Sequence, residues 1–132
     1  MRNGSAGWRE EDIEPLMLVR LTKDATPDDR RIVSLTRGQI YVVIGIEADD
    51  YRIVDDYNDP CLYDPTCFEL IDATEPEFWQ CEMGAEGERY CYPHEYNQPG
   101  FFEDYYDGIP EFVSKFWAVY QKLYAPARRC SA

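Results

Sequence analysis

The segment from residue 32 to residue 71 limits the fold of this chain more than any other part of it. Within it, apolar side chains occupy every second position over one stretch: Ile40, Val42, Ile44 and Ile46. Successive side chains of a β-strand point to opposite faces, so this period of two predicts a strand. Asp49 and Asp50 stand where a tight turn would lead into a returning strand at residues 51–54, and the pair is predicted to be a hairpin.

Three shorter apolar runs predict further strands, at residues 16–23, 61–63 and 68–71, and residues 55–60 have the composition of a turn. Five short strands joined by hairpins leave unpaired edges if the sheet stays open, so we expect a closed, five-stranded barrel within residues 16–71. The side chains expected inside it are Ile40, Val42, Ile44 and Ile53.

The run LTRGQIYVVIGIEADDYRIVDDYNDPCLYDPTCFELI resembles the SH3-like barrels of many small bacterial proteins of unassigned role. The matching positions are Leu35, Gly38, Tyr41, Val43, Tyr51, Arg52, Ile53, Asp55, Asp56, Leu62, Tyr63, Pro65, Phe68 and Glu69. The resemblance implies an SH3-like barrel over about residues 32–71, and some of these relatives look like immunity proteins against bacterial toxins. Because SH3-like barrels serve many unrelated activities, the resemblance does not by itself identify a function.

After Thr74 the pattern changes. Residues 78–83 and 89–92 flank a Gly-rich turn and predict an extra hairpin, and residues 101–108 are predicted to form a short helical turn or loop. A helix is predicted from Pro110 to residue 124, with Asp107 or Gly108 as its cap. We expect Phe116 and Trp117 on its apolar face to be buried against the barrel or hairpin. A partner or dimer surface is the alternative.

The predicted fold is therefore mainly β with α, an SH3-like five-stranded barrel plus a C-terminal hairpin and one long helix. The predicted organisation is a flexible N-terminus (1–14), the barrel (15–73) with an exposed loop at residues 24–31, the packed extension (74–125) and a flexible tail (126–132).

Charge is distributed unevenly along the chain. Residues 39–111 contain nineteen acidic side chains and only two basic ones, Arg52 and Arg89. The preceding residues hold seven of each sign, and residues 112–132 hold four basic side chains and no acidic one, which gives the net charge of −13. Such a field repels nucleic acid and anionic membranes and steers cationic partners toward the protein, so we predict neither nucleic-acid nor membrane binding. The simpler interpretation is that the acidic residues only maintain solubility.

Aromatic residues point to the same kind of partner. The chain has eleven Tyr, six Phe and three Trp, more than a small core buries, and many tyrosines alternate with acidic residues. Tyrosine is enriched at protein interfaces, where it gives a large contact area at low entropic cost. A surface of this composition fits a basic protein partner. The residues predicted to contact it are Asp49, Asp50, Asp55, Asp56, Tyr57, Asp59, Glu86, Glu88, Tyr105 and Tyr106.

Signals for catalysis, metal binding and cofactors are weak. The single histidine, His94, lies in a predicted loop, and the chain has no nucleophile, phosphate or zinc-protease motif. Residues 55–60 do not fit a calcium loop, because Tyr57 and Pro60 occupy ligand positions. Five cysteines without a CxxC pair predict free thiols rather than a zinc site. Cys81 and Cys91 are placed to face each other across the predicted hairpin, which would allow a disulfide under oxidation.

No long apolar stretch and no apolar leader are visible, so we expect a cytoplasmic protein. Our leading hypothesis is a non-enzymatic acidic binding protein that docks a basic protein partner, in its sharpest form an immunity-type inhibitor of a cationic toxin. One alternative is a nucleic-acid mimic that blocks a DNA- or RNA-binding protein. The other is a small enzyme that uses His94 and a carboxylate. The oligomeric state stays open.

Overall fold

The computed structural model describes residues 15–23 and 34–125. They contain eight strands and two α-helices: β1 (Leu18–Leu21), β2 (Ile40–Val42), β3 (Gly45–Glu47), β4 (Asp50–Val54), β5 (Pro60–Tyr63), β6 (Phe68–Asp72), β7 (Trp79–Met83), β8 (Arg89–Pro93), α1 (Phe101–Tyr106) and α2 (Pro110–Leu123). Single 3-10 turns follow β5 and β8. The predicted N-terminus (1–14), the loop at residues 24–31, the tail (126–132) and Cys130 lie outside the described residues.

The strands form two antiparallel sheets, in the orders β2-β1-β6 and β5-β4-β3-β8-β7. The predicted mainly β architecture with helices is confirmed, but within the described residues neither sheet closes into a barrel, so the predicted closed barrel is not confirmed. The hairpin predicted as an extension belongs to the larger sheet, because β8 pairs with β3 at Ile46↔Cys91 and Glu47↔Tyr90. That sheet therefore includes strands from both sides of the boundary expected at residue 73.

The strand predicted at residues 40–47 is divided between the two sheets. The Val43 N–H donates to the Met17 carbonyl at 2.9 Å, whereas the Ile44 N–H donates to the Arg52 carbonyl at 2.9 Å. The chain thus leaves the β1 ladder and joins the β4 ladder between two adjacent residues. Residues 16–72 consequently contain six strands instead of the predicted five. In the sequence, the alternation of apolar residues continues through this change of hydrogen-bond partner and does not indicate it.

Side chains of residues 41–44 alternate between two apolar clusters, and the alternation changes phase at β3, where Ile46 packs in the same cluster as Val43. The first cluster, which includes Val43 and Ile53, contains residues from both sheets. The second cluster, which includes Val42 of β2, Ile44 and Val54 of β4, packs strands of both sheets against the helices. Of the four side chains predicted inside, Ile40 is only partly buried and the other three are buried. Because each face has its own core, the alternate side chains of this segment are also buried.

The predicted β3–β4 hairpin is confirmed, with its tip one residue earlier than expected. Glu47 pairs with Asp50, so the two turn residues are Ala48 and Asp49. Their φ angles are 50° and 71°. A two-residue turn with positive φ at both positions matches the right-handed twist of the strands it joins. Asp tolerates this conformation better than most residues.

The predicted long helix is confirmed as α2, which ends one residue before the predicted limit. Its N-cap residue is Ile109, not Asp107 or Gly108, and Asp107 instead caps the end of α1. Pro110 occupies the first turn, where its missing N–H has no cost. Phe116 is fully buried in the second cluster, as predicted, and Trp117 is partly buried beside it.

Tyr124 connects the end of α2 to the larger sheet and to the segment that joins the two sheets. Its buried hydroxyl accepts a hydrogen bond from the indole N–H of Trp79 at 2.9 Å and donates one to the Ile44 carbonyl at 2.9 Å. The helix is thereby fixed to β7 and to the β2–β3 junction. Neither α1 nor α2 combines the length and apolar character that a bilayer crossing requires.

Candidate functional site

The turn between β4 and β5 contains several of the residues predicted to contact a partner, and hydrogen bonds to Asp55 stabilise it. The Asp55 carboxylate accepts hydrogen bonds from the backbone N–H groups of Tyr57 and Asp59 at 2.9 and 3.0 Å, and from the Tyr63 hydroxyl at 3.1 Å. Asp55 is only 2% exposed. It therefore stabilises the turn from inside and cannot contact a partner, contrary to its place in the predicted set.

The other residues of this turn reach solvent. Tyr57 is 71% exposed, and Asp56 and Asp59 are exposed. The Asp56 carboxylate nevertheless has structural partners, because it accepts from the Thr36 and Tyr41 hydroxyls at 2.7 and 2.8 Å.

Helix α1 brings the predicted Tyr105 and Tyr106 to the same region. The Tyr106 hydroxyl donates to the carbonyl of Pro60 at 2.6 Å, so α1 lies against the end of this turn. Tyr106 is half exposed and Tyr105 is partly buried.

The remaining predicted residues lie at two other turns, which meet at the start of β8. The Asp49 carboxylate accepts from the Arg89 backbone N–H at 3.0 Å, and Asp50 begins β4. The Glu88 carboxylate accepts from the Glu86 N–H at 2.9 Å and from the Tyr90 hydroxyl at 3.2 Å. The predicted set is thus divided between two separate groups of turns.

A cleft of about 300 Å³ lies between the larger sheet and the segment that leads into α1. We call it the acidic aromatic cleft. Its lining includes Glu47 of β3, Glu82 of β7, Tyr90 and Tyr92 of β8, and Phe102 and Glu103 of α1. None of these residues belongs to the predicted contact set. Alternation of Tyr90 and Tyr92 places both on one strand face, but the sequence does not indicate that β8 pairs with β3 and brings Glu47 beside them.

A buried arginine contacts three of the residues that line the cleft. Arg52 is 5% exposed, and its guanidinium donates to the Tyr92 hydroxyl at 2.8 Å, to Glu47 Oε1 at 2.8 Å and to the Pro60 carbonyl at 2.7 Å. Its Cζ lies 3.9 Å from the ring centroid of Phe102, a close cation–π contact. Glu47 neutralises the buried charge, as a desolvated cation requires. One of the two basic residues of the acidic segment therefore supports the fold.

Tyr92 completes this network. Its hydroxyl donates to Glu47 Oε1 at 2.7 Å, and burial raises the pKa of Tyr92 above its ordinary value of 10.0. The phenol consequently stays neutral, and Arg52, Glu47 and Tyr92 are occupied with one another. Glu82 and Glu103 are exposed and Tyr90 and Phe102 are partly exposed, so two carboxylates and two aromatic rings can face an incoming ligand. Carboxylates and aromatic faces together suit a cation.

Gly45 makes room for Tyr92. A Cβ atom at residue 45 would collide with two carbons of the Tyr92 ring, so only glycine lets this ring lie over β3. We expect Gly45→Ala to displace the ring and to lower the free energy of unfolding by about 1–3 kcal/mol, measured by urea denaturation. Gly84→Ala is the matched control, because the three atoms nearest to its Cβ would all belong to the flexible Glu88 side chain. Equal losses in the two variants would contradict this role for Gly45.

The alternative catalytic residue, His94, is exposed and starts the 3-10 turn after β8. It is not among the residues that line the cleft. The structure therefore does not bring this imidazole together with the cleft carboxylates.

The cysteines differ from the predicted free thiols in one respect. Cys81 and Cys91 face each other across the β7–β8 hairpin, as expected, and are joined in a disulfide, whereas Cys61 and Cys67 are thiols. Ligand atoms of Glu75, Cys81 and Cys91 lie within 4.8 Å of one another. The Arg89 guanidinium is 3.2 Å from the Cys91 sulfur. Because this cation would repel a metal ion, the cluster is a poor metal site.

Comparison with known proteins gives no relative. No family model, no curated protein and no solved structure matches this chain.

Proposed function

We propose that this protein binds a basic protein partner and that the acidic aromatic cleft receives an arginine or lysine side chain of that partner. The observation that carries the proposal is the lining of the cleft, in which exposed Glu82 and Glu103 accompany aromatic rings. A carboxylate forms a charge-assisted hydrogen bond with a cationic side chain, and an aromatic face attracts the same cation. Arg52 already makes such a contact with Phe102 inside the protein.

Long-range electrostatics supports the same partner class. Residues 39–111 carry nineteen acidic and two basic side chains, and every carboxylate of the cleft belongs to this segment. A field of this sign raises the association rate of a cationic protein by about 10- to 1,000-fold, with a steep fall as salt screens it. The cleft supplies a short-range contact for a partner that the field has attracted.

A peptide pair tests the proposal. The probes are a four-arginine peptide and the matching peptide in which citrulline, a neutral isostere, replaces each arginine. We expect the arginine peptide to bind and to shift the NMR signals of Tyr90, Tyr92 and Phe102, and the citrulline peptide not to do so. Glu82→Gln combined with Glu103→Gln should weaken binding of the arginine peptide by about tenfold, because two ion pairs at partly exposed sites are lost.

A matched double variant distinguishes the contribution of the cleft to binding from that of the overall negative charge. Glu77 and Glu111 are also exposed acidic residues, and neither is among the residues that line the cleft. Glu77→Gln with Glu111→Gln changes the net charge equally, so it should slow association slightly and leave the complex lifetime unchanged. If both double variants weaken binding alike, the acidic field acts alone and the cleft is not the contact site.

Within this proposal, the more specific role is that of an immunity-type inhibitor that covers the active site of a cationic toxin. A nucleic-acid mimic would use the same field against a DNA- or RNA-binding protein. Inhibition of a purified toxin's activity distinguishes the first role, and competition by duplex DNA or RNA distinguishes the second.

We also propose that the two sheets correspond to the halves of an SH3-like barrel that is open between them. Support comes from the β2–β3 segment, whose adjacent residues Val43 and Ile44 hydrogen-bond to different sheets. In orthogonally packed sheets, strands that bend from one sheet into the other form the corners. The larger sheet is then extended at one edge by β8 and β7.

A further inference from the structure

The Cys81–Cys91 disulfide presents two unequal sulfur atoms. The two residues are directly opposite in the β7–β8 ladder. Cys81 is exposed on β7, the edge strand of the larger sheet, whereas Cys91 is fully buried on β8. A nucleophile arriving from solvent therefore reaches residue 81 and not residue 91.

A charged pair lies beside the buried sulfur. The Arg89 Nη2 group is 3.2 Å from the Cys91 sulfur and 3.7 Å from the Cys81 sulfur. Glu75 holds the guanidinium through two hydrogen bonds of 2.8 Å each. Hydrogen bonding from Arg89 lowers the pKa of Glu75, so both partners are charged at neutral pH. A fixed cation next to a sulfur atom favours the thiolate form of that sulfur.

We propose that the Cys81–Cys91 disulfide is a site of thiol–disulfide exchange at which a small thiol becomes bonded to Cys81. The incoming thiolate forms a bond to the Cys81 sulfur, and the bond between the two protein sulfurs breaks. The electron pair leaves with the Cys91 sulfur, which becomes a thiolate beside Arg89. Exchange is faster when the departing sulfur is a stable thiolate, so exposure and charge select the same direction of attack.

A dithiol carries the reaction to completion. Its second thiolate attacks the mixed disulfide, forms the disulfide of the reagent and releases the Cys81 thiolate. In total the protein disulfide gains two electrons and the dithiol loses two, and the protons of the dithiol pass through solvent to the protein thiolates. A monothiol has no second thiol, so its mixed disulfide on Cys81 either is reversed by attack of the adjacent Cys91 thiolate, which expels the monothiol, or is trapped by acid before that reversal.

The exchange site is separate from the acidic aromatic cleft. Cys91 packs in the first cluster and its neighbour Tyr92 in the second, on opposite faces of β8. A disulfide is also uncommon in the reducing cytoplasm that the sequence predicts, where those that occur are usually transient. A reactive pair fits that setting better than a permanent crosslink.

The first test determines which sulfur is attacked, in the unmodified protein. The oxidised full-length chain is treated with 2-mercaptoethanol, quenched with acid at early times and mapped by peptide mass spectrometry. We expect the mercaptoethanol adduct on Cys81 to exceed that on Cys91 by about tenfold, because exchange depends on which sulfur is accessible. Equal adducts, or a preference for Cys91, would overturn the proposal.

The second test uses two variants with opposite expected effects on the second-order rate constant of reduction. Arg89→Gln should slow reduction several-fold, because the departing thiolate loses its cation. Glu75→Gln should accelerate it several-fold, because a competing negative charge is removed. Arg20→Gln breaks a comparably exposed ion pair with Glu69 in the other sheet and should leave the rate unchanged. If Arg89→Gln and Glu75→Gln change the rate in the same direction, the pair acts only on local structure and the exchange mechanism is wrong.

Discussion

Phe116→Ala is expected to lower the free energy of unfolding by about 3–5 kcal/mol. Phe116 is 0% exposed and lies at the centre of the second cluster, with its ring centroid 5.0 Å from that of Tyr96 and 5.2 Å from that of Tyr105. The substitution removes the whole ring from a close-packed site, so the loss includes transfer free energy, the remaining cavity and the aromatic contacts. The helix and the sheet share this cluster, so the unfolding transition of the whole domain should shift.

Urea denaturation followed by far-ultraviolet circular dichroism measures the effect. Phe112→Ala is the matched control, since it removes the same side chain from the same helix at a partly buried position. We expect it to cost about 1–2 kcal/mol, because less apolar area is lost from the core. Similar losses in the two variants would mean that α2 is held by its ends and not by Phe116.

Local patterns were sufficient to predict the hairpins and the long helix. Alternation at residues 40–47 and the acidic turn after it give β3 and β4, and Gly84 to Gly87 separate β7 from β8. The Pro110 start and the apolar stripes of the helix give α2. Each of these elements depends on interactions between residues close in the chain, which sequence periodicity records.

The sequence does not predict which strands pair when they are distant in the chain. The contact between β3 and β8 joins Ile46 to Cys91, and nothing in either strand specifies the other. The change of sheet between Val43 and Ile44 is likewise a matter of hydrogen-bond partners, which side-chain identity does not encode. An open arrangement of two sheets therefore replaces the single closed barrel that the hairpins alone predict.

The predicted contact residues were chosen by composition, and the fold separates them. Asp55 was expected at the surface because aspartate usually is, yet its carboxylate has three hydrogen-bond donors inside the turn. The acidic aromatic cleft instead brings Glu47 together with Tyr92 and Glu103, which lie far from Glu47 in the chain. Only the folded arrangement brings these residues to one site.

Raising the pH above about 10 is expected to remove roughly 4 kcal/mol of stability by about pH 11. Burial raises the pKa values of Tyr92, Tyr96 and Tyr124 above the ordinary 10.0, and these side chains are 5%, 2% and 0% exposed. In the folded protein they stay neutral, whereas in the unfolded chain they ionise near pH 10. Their contribution is therefore fully present below about pH 10 and is lost as the pH rises through the folded pKa values. Each tyrosine contributes a slope of about 1.4 kcal/mol per pH unit in this range.

Unfolding free energies measured in urea from about pH 8 to about pH 11 check this expectation. Tyr96→Phe removes one buried titrating group, so its stability should fall with a slope smaller by about 1.4 kcal/mol per pH unit, whatever its stability at neutral pH. Phe112→Ala is the control, since it changes packing without removing an ionisable group and should leave the slope unchanged. The slope isolates proton release from the packing cost of each substitution.

A stability that stays constant up to about pH 11 would mean that these hydroxyls ionise in the folded protein. In that case the hydrogen bond from Tyr124 to Ile44, which requires a neutral phenol, would not persist.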